Sequence, residues 1–180
     1  MEKIKEKENK TFEVMKDTFG YSNSFMSPHV VKVVVNSSTG STKDKHKIEV
    51  VQDRLTKITG QKPAPRGAKK SIATFKLREG DIIGYTVTLR GKMMYNFLDK
   101  LINIAIPRMR DFQGLPRESV DEMGNYTIGI KENTVFPETA DEDLKNVFGF
   151  NVTIVTTAKT REEAEAFFEH IGIPLKSNKK

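Results

Sequence analysis

The stretch GYTVTLRG, residues 84–91, constrains the fold more than any other segment. Tyr85, Val87 and Leu89 alternate with Thr86, Thr88 and Arg90. Successive side chains of a strand point to opposite faces, so this strand has one apolar and one polar side. Such strands belong to sheets with one covered face and one wet face, a condition typical of antiparallel pairing. The chain therefore needs helices for one face only.

Those helices are visible as apolar stripes. Phe12, Met15 and Phe19 predict a helix that ends at Gly20. Ile48, Val51, Leu55 and Ile58 mark another, introduced by a capping-box pattern at Ser41 and Asp44 and closed by Gly60. Met94, Phe97, Leu101, Ile104 and Ala105 line a third over residues 92–106, which Pro107 ends. Thr160 and Glu163 repeat the capping pattern before a stripe of Ala164, Phe167, Phe168 and Ile171, with Gly172 at its end. Between them VVKVVVN (30–36), GNYTIGI (124–130) and FNVTIVTTA (150–158) read as strands. The fold class is α+β, an antiparallel-rich sheet with helices packed on one face and a polar opposite face. At 180 residues the chain suits a single domain, with a charged lead over 1–10 and a disordered tail over 176–180.

The polar face collects Lys32 and Asn36, then Thr86, Thr88 and Arg90, then Thr127 and Lys131, and finally Thr153 and Thr157. Pattern alone leaves two readings open, a solvent-exposed sheet face and an RNA-binding one. An RNA-recognition sheet of the base-stacking kind needs exposed aromatics on its central strands. The first strand has none, and Tyr85 shares its face with Val87 and Leu89, so backbone and shape recognition is the expectation.

A second polar feature is GQKPAPRGAKKSIATFKLREG, residues 60–80. It holds Lys62, Arg66, Lys69, Lys70, Lys76 and Arg78 against one acid, Glu79, together with three glycines and two prolines. Its later part, SIATFKLR, alternates and is expected to be a strand, with Ala73, Phe75 and Leu77 on one side. A solvated loop is the ordinary fate of a charge run. One-sided charge and stiffening prolines favour a basic finger that grips phosphates.

The net charge of +6 fits an anionic partner and says nothing about fold. With no cysteine, disulfides, thiolate metal sites and a cysteine nucleophile are excluded. No apolar run approaches the ~20 residues of a membrane span, and MEKIKEKENK lacks the apolar core of a signal peptide. A cytoplasmic protein without a membrane partner is expected. His29, His46 and His170 sit in different elements without ligand spacing, and neither a phosphate-binding nor a dinucleotide-binding glycine motif is present. The acids Asp141, Glu142 and Asp143 read as the first turn of a short helix. No nucleophile–base pair can be nominated, so a non-enzyme without metal or cofactor is expected.

Five ordered stretches carry a resemblance: GQKPAPRGAKKSIATFKLREG, VTLRG, LINIAIPRMRDFQGL, GNYTIGIKENTVFPE and VTIVTTAKTREEAEAFF. Together they resemble the family of bacterial large-subunit ribosomal protein five, over nearly the whole chain. The resemblance implies a structural role in the central protuberance of the large ribosomal subunit, among 23S rRNA and neighbouring proteins. It implies a sheet surface that binds 5S rRNA through Lys32, Asn36, Thr86, Thr88 and Arg90. It implies a finger directed at tRNA in the peptidyl site through Lys62, Arg66, Lys69, Lys70 and Ser71. It further implies an intersubunit bridge to small-subunit ribosomal protein thirteen. That bridge would use Arg110, Asp111, Phe112, Gln113 and Gly114, and the segment 135–143 with Glu138, Asp141, Glu142 and Asp143. The sequence departs from the family pattern at Ser38, where a glycine is usual, and at Arg66 and Gly67, where a threonine and then a basic residue are usual. A free-standing RNA-binding regulator or RNA chaperone is the alternative from another class.

Overall fold

A computed structural model describes residues 3–40, 44–110, 112–140 and 147–176. In chain order the elements are α1 (Ile4–Asn9), α2 (Thr11–Phe19), β1 (Val30–Ser38), α3 (Lys45–Thr59), β2 (Ala64–Gly67), β3 (Ile82–Leu89), α4 (Gly91–Lys100), β4 (Tyr126–Ile130), β5 (Phe150–Thr156) and α5 (Arg161–Ile171). The strands form one sheet in the order β2-β3-β1-β5-β4. β2 and β3 are antiparallel. The register of the other contacts is antiparallel as well. Gly84 lies against Ser37 and Thr86 against Val35, His29 against Thr157 and Ser37 against Gly149, Thr127 against Thr153 and Gly124 against Thr156. The α+β expectation holds.

By its internal contacts the chain divides into two compact units, and β1, β4 and β5 contribute residues to both. The first comprises Met1–Val33, Arg90–Ile128 and Thr153–Lys180; the second comprises Val34–Leu89 and Gly129–Val152.

In the first unit the core is Val30, Val33, Met94, Phe97, Leu98, Tyr126, Ile128, Ile154 and the α5 stripe of Ala164, Phe167, Phe168 and Ile171, all buried. Tyr126 and Phe168 pack ring to ring with centroids 5.2 Å apart, which seats α5 on β4. Thr160 caps α5 as its spacing predicted, its hydroxyl oxygen accepting the Glu163 N–H at 3.3 Å. Glu163 in turn accepts the Lys159 N–H and the Tyr21 hydroxyl. Residues 4–9 form α1, whose Ile4 is buried and whose first N–H donates to Asp99. Lys176 is also placed, its N–H donating to the Leu115 carbonyl at 2.8 Å. Residues 177–180 lie outside the described residues.

One helix departs from expectation. After Lys100, α4 continues as a π-helical turn over Leu101–Ala105, closed by the Ile106 N–H reaching the Leu101 carbonyl at 2.9 Å. The wider turn inserts a residue into the helical repeat, so the apolar stripe slips. Ile102 and Ile106 turn inward, while Ile104, expected in the stripe, is exposed.

Three phenols of this unit are held neutral. Burial raises the pKa of Tyr21, Tyr95 and Tyr126 well above the ordinary 10.0. Hydrogen bonds to Glu163 and Glu8 push Tyr21 and Tyr95 further in the same direction. A raised folded-state pKa gives stability that is complete below the unfolded value and lost as pH climbs past it. Thermal unfolding followed against pH should therefore show no loss from these phenols through neutrality, and a fall beginning near pH ~10.

In the second unit α3 buries Val51, Leu55 and Ile58 beside Tyr85, Val87, Leu89, Val35, Ile130, Phe136 and Val152. Its N-cap is Asp44, which accepts the His46 N–H at 3.0 Å; Ser41, the other half of the expected box, lies outside the described residues. Gly60 ends the helix at φ 72°.

Candidate nucleic-acid interface

Beyond Lys32, β1 alternates as a half-wet strand must. Val33, Val35 and Ser37 are buried, whereas Asn36 and Ser38 are exposed. Val34 stands on the outward side but is half-buried, so that side is less uniformly polar than the sequence suggested. On β3, Thr88 is exposed and Thr86 half-buried. The Thr86 hydroxyl donates to the Val35 carbonyl at 3.3 Å, which leaves its oxygen as an acceptor. These residues, with Asn151 of β5 and Lys131 after β4, give the second unit an outward surface of amides, hydroxyls and a cation.

Part of that surface is concave. Asn36, Ser38, Gly129, Ile130, Lys131, Gly149, Phe150 and Asn151 line an open recess of about 370 Å³. Glycines create it. A Cβ at Gly149 would come within 3.0 Å of the Ile130 carbonyl oxygen, and Gly129 adds no side chain beside Asn151. Sequence reasoning named Asn36 and Lys131 but missed Asn151, although the alternation of FNVTIVTTA already set it beside Thr153 on the outward side. Among the described residues no group of three or more His, Cys, Asp or Glu could hold a metal ion.

In the first unit the outward residues are Lys32, half-buried, with Thr127 and Arg90, both exposed, and Thr153, half-buried. The Thr127 and Thr153 hydroxyls pair at 3.1 Å. Arg90 stands at the N-cap of α4. Thr157 hydrogen-bonds the His29 ring at 3.1 Å, and His170 meets the Lys7 carbonyl at 2.8 Å.

The basic finger requires a correction. It is not a loop leading into the strand 71–78. Its own residues 64–67 are β2, paired with β3 so that Ala64 faces Thr86, Pro65 faces Tyr85 and Arg66 faces Gly84. Ala68 continues the ladder through the Asp81 carbonyl and the Gly80 N–H, at 2.8 and 3.0 Å. The finger is thus a β-hairpin, and residues 71–79 are its tip. Alternation in SIATFKLR misled because it has no neighbouring strand to join; β3 pairs with β2 on one side and β1 on the other.

Lys62, Arg66, Lys69, Lys70 and Ser71 are all exposed. None of these cations forms an ion pair among the described residues. The Ser71 oxygen accepts the Glu79 N–H at 2.9 Å and cinches the hairpin, leaving its own O–H to donate. Among the residues expected at a bridge, Arg110 and Gln113 are exposed, while Phe112 and Gly114 are half-buried. These four belong to the first unit and the exposed Glu138 to the second. Asp111, Asp141, Glu142 and Asp143 lie outside the described residues.

An α+β chain that offers a polar, glycine-hollowed sheet surface and a hairpin whose Lys62, Arg66, Lys69 and Lys70 form no ion pair among the described residues has the build of an anion-binding, nucleic-acid type of protein. Comparison with known proteins makes the class specific. Residues 23–78 match the family model of ribosomal protein L5, and residues 82–175 match the model of that ribosomal family's C-terminus. The large ribosomal subunit protein uL5 of Ureaplasma urealyticum is 49% identical over 168 residues, 93% of this chain and 91% of the relative. That of Malacoplasma penetrans is 49% identical over 97% of this chain and 94% of its own. That of a Thermoanaerobacter species is 47% identical over 97% of this chain and 99% of its own. The chain belongs to the ribosomal protein L5 family, the uL5 proteins of the large ribosomal subunit.

Proposed function

We propose that the protein is a structural, non-catalytic component of the large subunit that anchors 5S rRNA, reaches P-site tRNA and helps to couple the two subunits. The observation that supports this reading best is the polar outward group of Asn36, Thr86 and Thr88, set on strands whose Val35, Ser37, Tyr85, Val87 and Leu89 are buried on the other side. Asn36 and Thr88 present donors and acceptors on a rigid sheet, suited to sugar and phosphate contacts that read RNA shape. Lys32 and Arg90 add phosphate contacts.

The finger serves tRNA. Lys62, Arg66, Lys69 and Lys70 supply charge, Ser71 a hydroxyl, and the β2–β3 ladder the stiffness that lowers the entropy lost on binding. The bridge to small-subunit protein thirteen uses Arg110, Phe112, Gln113, Gly114 and Glu138, together with Asp111, Asp141, Glu142 and Asp143. Its acids would meet a basic partner in a rim-like electrostatic contact. The remaining partners are 23S rRNA and neighbouring central-protuberance proteins, and the place of action is the cytoplasmic ribosome.

Replacing Thr88 and Arg90 together by Ala tests the sheet. We expect affinity for 5S rRNA to fall roughly tenfold or more, about 1.4 kcal/mol, while tRNA binding stays unchanged. Unaltered 5S binding by a folded double variant would show that the RNA lies elsewhere.

A further inference from the structure

The finger ends in a structure that phosphate contact does not explain. Ile72 and Leu77 exchange backbone hydrogen bonds at 3.1 and 3.2 Å, forming a small closed hairpin beyond β2 and β3. Inside it Ala73–Phe75 make a tight turn, closed by the Lys76 N–H on the Ala73 carbonyl at 3.0 Å. Lys76 takes a left-handed backbone at φ 52°, the only described non-glycine residue to do so. That conformation costs energy in a residue with a Cβ, and the ladder around it holds it in place. The result is that Phe75 stands 68% exposed at the tip, with Ile72, three residues before it, 44% exposed.

An aromatic ring held out by a braced turn is a different object from a solvated charged loop. Its surroundings identify what it fits. Lys69, Lys70, Lys76 and Arg78 flank it in sequence, all exposed and without an ion pair among the described residues, and Glu79 is the one acid of the stretch. An apolar protein groove would accept the ring and strip water from the cations without repaying it. A nucleic acid offers phosphates for the cations and a π face for the ring.

We propose that Phe75 is a stacking platform for an unpaired nucleobase of the RNA that the finger grips. The proposal rests on the finger being an RNA-binding hairpin and adds base contact to what the sequence read as backbone recognition alone. Stacking releases no counterions, so the contribution of Phe75 is independent of salt while that of the lysines is not.

The chain contains no tryptophan, so Phe75→Trp introduces a single fluorescent reporter at the tip. Full-length variants would be titrated with deacylated tRNA and, separately, with a continuous RNA duplex, over a salt series. Identical thermal unfolding would verify that each variant is folded. Stacking predicts strong quenching of the Trp by tRNA and little by the duplex. It predicts that Phe75→Leu, which keeps apolar bulk but has no π face, binds tRNA about tenfold more weakly with an unchanged salt slope. Lys69→Ala with Lys70→Ala should instead flatten the slope. If Phe75→Leu binds like the parent and the Trp is not quenched, while the lysine pair still flattens the slope, stacking is overturned and the RNA-gripping hairpin survives. If none of these variants alters tRNA binding, both readings are overturned.

Discussion

Replacing Gly84 by Val is expected to destabilise the protein by about 3 kcal/mol or more, a loss reached by few single substitutions. Gly84 sits in β3 opposite Arg66 of β2, with Ser37 of β1 on its other side. A Cβ built there would lie 2.7 Å from the Ser37 carbonyl oxygen, closer than real Cβ atoms approach. The obstacle is backbone, so no side chain can swing aside to relieve it. The β1–β3 pairing must part, and the Thr39 N–H would lose the Ile83 carbonyl it meets at 2.9 Å. Asn36 and Thr88, carried by the same two strands, would lose their mutual placement, so 5S binding should fall with stability. Urea unfolding of the Val variant measures the first effect. A midpoint equal to that of the parent would mean that the strands are not packed as described.

The second large effect concerns charge. Neutralising Lys62, Arg66, Lys69 and Lys70 together removes four candidate phosphate contacts. Each contact contributes roughly 0.7–0.9 to the slope of log affinity against log salt. The quadruple variant should therefore lose about three units of slope for tRNA, and about two orders of magnitude in affinity near physiological salt. Stability should barely change, because all four side chains are exposed and none holds an ion pair among the described residues. Filter binding across a salt series is the measurement. Parent-like slope with lower affinity would assign these residues a role in hairpin geometry rather than in phosphate contact.

Four of the five strands and most helices were legible because a single period dominates each of them, whereas β2 lay hidden in the basic finger. GYTVTLRG alternates without a break, the α5 stripe is buried throughout, and of the α3 stripe Val51, Leu55 and Ile58 are buried while Ile48 is half-buried. The failures have local causes. Periodicity cannot report a π turn, because the extra residue at 101–105 is a property of the backbone, and so Ile104 was assigned to the wrong side. The tip of the finger failed for the opposite reason. SIATFKLR has a good strand pattern, but a strand needs a partner, and the short-range hydrogen bonds of Ile72, Ala73, Lys76 and Leu77 close it into a hairpin instead. The chemistry of the site was half-visible. Cation density marked the finger and alternation marked the outward face. The recess over Gly129 and Gly149 depends on which strands are neighbours, and one-dimensional pattern does not carry that.

The most direct test of the central claim is binding of the purified protein to 5S rRNA of its own species, with tRNA and an unrelated hairpin as competitors, from low to high salt. Every RNA should lose affinity as salt rises, since all engage the cations. The account predicts that 5S rRNA keeps a large advantage at high salt, because hydrogen bonds and shape on the rigid sheet persist when phosphate contacts are screened. If the three RNAs converge and dissociate together, the outward sheet face is a basic surface without a shaped site, and the 5S-anchoring role is contradicted.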